Sequence, residues 1–222
     1  MNASIPIRVK IVGFIALMKL RLSALVVFSS VMVYMLALNG ELVIFNLVLF
    51  ATGGLLITAA ANTFNQLIEV EYDKIMARTM NRPLPTGLLT NIEAATFGLV
   101  ALVAGVALML SGTNLLTVFI ALFSLVLYVF AYTPMKRISP IAVLIGAIPG
   151  ALPPLIGWTA IRGTIDMEAW VLFGIQFIWQ FPHFWAIAWV LDEDYKKAGF
   201  RLLPGNGEKN INTAFQIMIY TL

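Results

Sequence analysis

The chain contains no cysteine, which excludes disulfide scaffolds, thiolate metal sites and cysteine nucleophiles. Its only histidine is His183, so a zinc centre built on several imidazoles is excluded as well. Charge is scarce: 11% of the 222 residues are charged, against about 25% in an average soluble domain. The net charge of +3 is too small for the basic face that a nucleic acid needs, and no nucleic-acid partner is expected. Apolar residues take the place of charge, at 60% of the chain. A soluble fold of this size could not hide that much apolar surface, and a disordered chain does not have this composition.

Uncharged runs count the membrane spans, because a helix needs about 20 mostly apolar residues to cross. The long ones are Leu22–Gly40, Leu42–Ile68, Ala94–Met135, Ile138–Ile161 and Ala169–Leu191. Ala94–Met135, at 42 residues, is too long for one helix, and the turn-forming string Ser111-Gly112-Thr113-Asn114 divides it. Six complete spans result. The uncharged stretch Asn210–Leu222 reads as the start of a seventh that the chain does not finish. The expectation is an all-α polytopic membrane protein, a single domain over residues 1–222 with its C-terminal helices missing. The first apolar run is too long for a signal-peptide core, and no small-x-small cleavage site follows it.

Basic residues give the orientation. Arg8, Lys10, Lys19 and Arg21 precede the first span, Lys74, Arg78 and Arg82 lie between spans 2 and 3, Lys136 and Arg137 between 4 and 5, and Lys196, Lys197, Arg201 and Lys209 after span 6. With six spans, 13 of the 14 basic residues fall on one face, and only Arg162 lies opposite. The N-terminus is expected on the cytoplasmic side. With no transit peptide, the expected site is the inner (cytoplasmic) membrane of a bacterium. On the cytoplasmic face the segments 66–91 and 192–209 are long and carry mixed charge. Long connections in a compact fold are commonly functional or disordered.

The first of these connections follows directly on Asn62-Thr63-Phe64-Asn65-Gln66-Leu67-Ile68-Glu69-Val70-Glu71-Tyr72-Asp73. If helix 2 continues through this string, Asn65, Glu69 and Asp73 stack one turn apart on one face, with Asn62 a turn deeper. Stacked oxygen ligands suit a hard cation such as Mg²⁺, which takes a few carboxylates, water and substrate phosphates. Lys74, Arg78 and Arg82 follow and would take the phosphate oxygens. A solvated helix end with acid–base pairs is the plainer explanation of the charges. It does not explain Asn62 and Asn65 beside Ala59-Ala60-Ala61, since polar side chains near membrane depth face a cavity or a partner helix.

The second cluster is Asp192-Glu193-Asp194-Tyr195-Lys196-Lys197, at the end of span 6. His183 lies eleven residues before Asp194 and shares its face if the helix is unbroken. The plainer readings are a membrane-boundary marker for the acids and a buried, hydrogen-bonded core histidine for His183. Taken together, two acidic clusters on different helices, each able to hold one Mg²⁺ on a shared diphosphate beside a basic rim, point to intramembrane chemistry on a lipid diphosphate. In span 5, Gly146 and Gly150 read as close packing, and Pro149, Pro153 and Pro154 require partners for the carbonyls they free.

These residues resemble the UbiA superfamily of intramembrane prenyltransferases. The matching strings are Ala61-Asn62-Thr63-Phe64-Asn65-Gln66 through Glu69 and Asp73, Met76 through Arg82-Pro83-Leu84-Pro85, Tyr132-Thr133-Pro134-Met135-Lys136-Arg137, Gly146–Trp158, and Trp179-Gln180-Phe181-Pro182-His183-Phe184 through Asp194-Tyr195-Lys196-Lys197-Ala198-Gly199. The Tyr-Thr-Pro-x-Lys-Arg and Gln-Phe-Pro-His-Phe strings narrow the resemblance to the branch that modifies heme. The resemblance implies a UbiA-type helical bundle with two Asp-rich motifs around a central cavity. It implies transfer of a farnesyl group from farnesyl diphosphate to a vinyl group of heme B, with addition of water, giving heme O for heme-copper oxidases.

On that scheme Asn65, Glu69 and Asp73 hold one Mg²⁺, and Asp194 with Asp192 holds a second. Lys74, Arg78, Arg82, Lys136 and Arg137 neutralise the diphosphate as the allylic C–O bond ionises. His183 ligands the heme iron or handles a proton. The implied partners are farnesyl diphosphate, heme B, the lipid bilayer, and heme A synthase or oxidase assembly factors. Three other readings stand beside it: an aromatic-ring prenyltransferase of quinone synthesis, a cation-coupled transporter with Glu69, Asp73 and Asp194 as cation sites, and a heme-handling factor without catalysis, which needs His183 but not the acids. The transporter would place its acids near the bilayer midplane, whereas here they gather at one face.

Overall fold

A computed structural model describes residues 5–205 and 207–222. Among these every regular element is helical. Five helices are long and apolar enough to cross a membrane, and the count is six when the bent pair at the N-terminus is taken as one span.

That pair is α1 (Ile7–Met18) and α2 (Leu20–Leu36), inclined at 42°. Lys19 makes the bend in a left-handed conformation (φ 47°), the one non-glycine residue at positive φ among those described. A side chain at this φ is disfavoured and persists only when neighbours hold it. They do so here through the carbonyls that the bend frees. Gln66 Nε2 donates to the carbonyl of Leu17 at 2.9 Å, and Ser23 Oγ donates to that of Met18 at 2.7 Å. Asn62 Nδ2 in turn donates to Ser23 Oγ at 3.1 Å. The polar residues inside the second span thus stitch the bend of the first.

Helix α3 (Ile44–Asp73) runs for 30 residues and carries the first polar cluster as one continuous helix. At 1.5 Å per residue it is about 45 Å long, enough to cross a bilayer and project beyond it. Helix α4 (Asn91–Gly112) opens on a capping box in which Thr90 and Glu93 bond each other's backbone N–H groups. It lies tightly on α3: a Cβ at Gly53 would meet Gly105 O and the Met109 nitrogen at 2.8 Å. The chain turns at Thr113–Asn114, and Asn114 caps α5 (Leu115–Val126) by accepting from Thr117 N–H. A π-helical turn, Leu127–Tyr132, carries α5 into the short α6 (Thr133–Met135). Pro134 has no N–H to return to the preceding turn, and the Tyr128 carbonyl accepts both the Thr133 backbone N–H and Thr133 Oγ1, the latter at 2.8 Å.

Helix α7 (Ala142–Arg162) is continuous through its three internal prolines. Each proline frees the carbonyl four residues earlier. Pro153 frees that of Pro149, which accepts from Ser124 Oγ at 3.4 Å. Pro154 frees that of Gly150, which accepts from Gln180 Nε2 at 2.9 Å. Gly146 lies under the Tyr132 ring and Gly150 under the Gln180 amide. The closest approach is at Gly157, where a Cβ would sit 2.1 Å from the Ser30 carbonyl oxygen of α2.

Helix α8 (Met167–Val190) stops at Leu191, and α9 (Asp192–Lys197) starts afresh. The unbroken helix assumed for His183 and Asp194 is therefore corrected: Leu191 (φ −98°, ψ 14°) lies outside helical geometry, and the two residues do not share a face by helical repeat. The 11-residue α10 (Ile211–Thr221) lies back on α8, with Tyr220 against Trp185 and Phe181.

Candidate active site

A cavity of about 640 Å³ runs into the bundle from the Asp73 end of α3. This volume is in the range of small-molecule sites, about 300–1,000 Å³. Its rim holds Lys19, Asn65, Glu69, Asp73, Arg78, Arg82 and Lys136. Below them the lining becomes apolar, with Ile57, Ala121, Leu125 and Ile156. One wall is the face of α8 that carries Gln176, Trp179, Gln180, His183 and Ile187.

The rim is a set of buried acids, each with a cation. Asp73 Oδ2 accepts from Arg82 Nη1 at 2.7 Å, with the Asp73 side chain 1% exposed. Glu69 Oε1 accepts from Lys136 Nζ at 2.9 Å, and the Lys136 ammonium lies 4.6 Å from the centroid of the Tyr132 ring. Asn65 Nδ2 donates to Thr133 Oγ1 at 3.0 Å, which ties α3 to the π-helical turn. That wider turn, a geometry frequent at functional sites, sets Tyr128 and Tyr132 along the cavity with ring centroids 5.6 Å apart.

One atom in this set stands out: Asp73 Oδ1 is buried and has no hydrogen-bond partner among the described residues. A buried carboxylate oxygen left unpaired is costly. Its neighbours on α3 are oxygen-bearing side chains, and such a donor set fits a hard divalent cation.

The second cluster is arranged differently. The carboxylate of Asp194 accepts from the backbone N–H groups of Ala77 and Arg78 at 3.3 Å each. Asp192 is buried and pairs with Lys196 at 2.9 Å. Neither lines the cavity, and no three acids or histidines converge as a metal-binding group among the described residues. Asp192 and Asp194, expected to hold a second metal ion, are thus engaged by Lys196 and by the loop that leaves α3, outside the cavity lining. The break at Leu191 re-aims the helix, and Asp194 spends its two oxygens on holding the loop that leaves α3. Two of the expected phosphate ligands also lie elsewhere. Lys74 is exposed and pairs with Glu71 at 2.7 Å. Arg137 lies over the Tyr72 ring and donates to its hydroxyl. Arg78, Arg82 and Lys136 do line the cavity.

The UbiA prenyltransferase family matches residues 25–222 of the sequence. The chain belongs to this family. A protoheme IX farnesyltransferase from Cytophaga hutchinsonii is 53% identical over 210 residues, 95% of this chain and 73% of the relative. One from Flavobacterium psychrophilum is 41% identical, over 100% of this chain and 74% of the relative. Among solved structures, a UbiA homologue from Archaeoglobus fulgidus bound to GPP and Mg²⁺ superposes with a TM-score of 0.74 at 14% identity, covering 94% of this chain and 74% of that one.

In this UbiA prenyltransferase the cavity is also lined by residues to which the sequence reading assigned no role. Lys19 reaches the rim because the α1–α2 bend puts it there. Gln176 and Gln180 share the wall of His183, and their spacing of four and three residues along α8 was visible in the sequence. Trp179 stacks on His183, centroids 4.6 Å apart. Tyr195 from α9 also lines the cavity. Burial holds its hydroxyl above the ordinary value.

Proposed function

We propose that the chain transfers the farnesyl group of farnesyl diphosphate to a vinyl group of protoheme IX. The observation that carries the reading is the unpaired Asp73 oxygen beside Arg82, at the mouth of an apolar cavity with His183 on its wall. The shared name of the relatives supports it, and so does the GPP and Mg²⁺ complex of the Archaeoglobus homologue.

Asn65, Glu69 and Asp73 would hold Mg²⁺, which supplies positive charge to a departing diphosphate. Arg78, Arg82 and Lys136 bind the remaining phosphate oxygens. Breaking the allylic C–O bond leaves the electron pair on diphosphate and a cation on the farnesyl carbon. The vinyl group attacks that cation, and water adds to the new one, its proton passing to the released diphosphate. The surrounding rings of Tyr128 and Tyr132 favour positive charge through their faces. His183 is exposed on the cavity wall rather than buried in the core, and its imidazole is accessible to a heme iron there. The wider setting of the reading is a bacterial inner membrane with the N-terminus cytoplasmic.

The test is incubation of membranes carrying the protein with heme B, farnesyl diphosphate and Mg²⁺, followed by detection of heme O by mass. Chelation should abolish product, and added Mg²⁺ should restore it. Asp73→Asn keeps the size of the side chain and removes its charge. Its turnover should fall roughly 100-fold or more, in line with loss of one electrostatic stabiliser, while the protein still inserts. Normal turnover in this variant would remove the metal role from Asp73.

A further inference from the structure

Two adjacent glycines of α3 have unlike surroundings. Gly53 faces α4, and its missing side chain is required by backbone contact: a Cβ there would meet Gly105 O and Met109 N at 2.8 Å. Gly54 faces the cavity. A Cβ there would meet Met109 Cε at 3.6 Å and Val27 Cγ2 at 3.7 Å, which are ordinary contacts. Nor does Gly54 adopt positive φ. Neither packing nor backbone conformation calls for glycine at this position, and glycine is disfavoured inside a helix. What its missing side chain does provide is room for one small group between Val27 of α2 and Met109 of α4. One turn deeper, Phe50 is 1% exposed and stacked on Tyr34 with centroids 5.1 Å apart, and it closes that space.

The depth of this floor matches a length. From Asn65 to Gly54 is eleven residues of one helix, about 16 Å. Phe50 lies four residues further, at about 22 Å. Three isoprene units, extended at carbon–carbon bonds of about 1.5 Å, span roughly 15 Å, and a fourth adds roughly 5 Å. With its reacting end at Asn65, a three-unit tail ends beside Gly54 and Met109. A four-unit tail runs onto Phe50.

We infer that Gly54, Met109 and Phe50 form the floor that measures the donor's tail, and that Gly54 is a specificity-determining residue for chain length. The inference rests on the farnesyl-transfer reading above. A side chain at position 54 shortens the slot, and a small residue at position 109 deepens it.

The experiment is a competition in membranes carrying the protein, with heme B, Mg²⁺ and equal amounts of geranyl, farnesyl and geranylgeranyl diphosphate. Product masses report the preference as a ratio within one sample, independent of how much protein accumulates. The unaltered protein is expected to give chiefly the three-unit product. Gly54→Leu should move the ratio of two-unit to three-unit product upward by about tenfold or more, the scale set by a few methylenes in an apolar pocket. Gly54→Ala, which fits without displacement, should move it the same way by less. Met109→Ala should move preference in the opposite direction, towards the four-unit donor. Prenyl transfer with unchanged ratios in all three variants overturns the floor assignment and leaves transfer standing. No prenylated product from any donor in the unaltered protein overturns the transfer reading, and the inference with it.

Discussion

His183 lies exposed on the cavity wall, stacked on Trp179 and without a hydrogen-bond partner among the described residues. Glutamine at this position keeps the volume and the hydrogen-bonding capacity but is a poor iron ligand. His183→Gln should therefore lose heme O formation by roughly 100-fold and shift the visible absorption of bound heme, with farnesyl diphosphate binding unchanged because Arg78, Arg82 and Lys136 hold the diphosphate. Full turnover with an unaltered heme spectrum would sink the ligand role. Residues of this kind differ in how far the sequence reveals them. Asn65, Glu69 and Asp73 could be grouped because helical repeat is enough inside one continuous helix, and α3 is continuous. Asp194 could not be placed, because one residue, Leu191, leaves helical geometry and cancels the face arithmetic. Lys19 could not be placed either. Its left-handed conformation is held by Gln66 and Ser23 side chains on carbonyls at the bend, a tertiary cause with no local signature.

At the scale of helices, close approach is decided by what has no side chain. A Cβ at Gly157 would stand 2.1 Å from the Ser30 carbonyl, backbone that cannot swing away. Gly157→Ala should push α2 and α7 apart and destabilise by about 1–3 kcal/mol, as overpacking does. A fall in the thermal midpoint of the protein in detergent checks this. Gly174→Ala on α8 is the control: nothing lies within 4 Å of its Cβ position, and replacing a glycine inside a helix should hold the midpoint or raise it slightly. The spans themselves were legible from uncharged runs, because backbone hydrogen bonds must close within each crossing segment. The division at Ser111–Asn114 was legible from turn chemistry and corresponds to the end of α4 and the cap of α5. The π-helical turn was not, since it depends on Thr133 bonding Tyr128 and Asn65 rather than on composition.

For the molecule as a whole, the distribution of charge and the count of spans meet in one expectation. Thirteen of 14 basic residues lie on one side if six segments cross, and the helices long enough to cross number six with the bent pair. A reporter fused after Arg82 should read cytoplasmic, and one fused after Arg162 should read the opposite side. Both reporters on one side would overturn the six-span arrangement. The same polarity gathers the ionic half of the cavity at one membrane face and leaves the other half to apolar side chains, as a substrate with a charged head and a hydrocarbon tail requires.

The carbonyl of Gly150 links two positions that lie on different helices. Pro154 deprives it of its usual donor, and Gln180 supplies another. Losing Gln180 alone leaves that carbonyl without its protein donor, while replacing Pro154 alone makes the glutamine redundant. Either change therefore alters the selective value of the other. Across descendants of this chain, glutamine at 180 is expected to be lost only after proline at 154 has gone, so that the history of one site orders the history of the other.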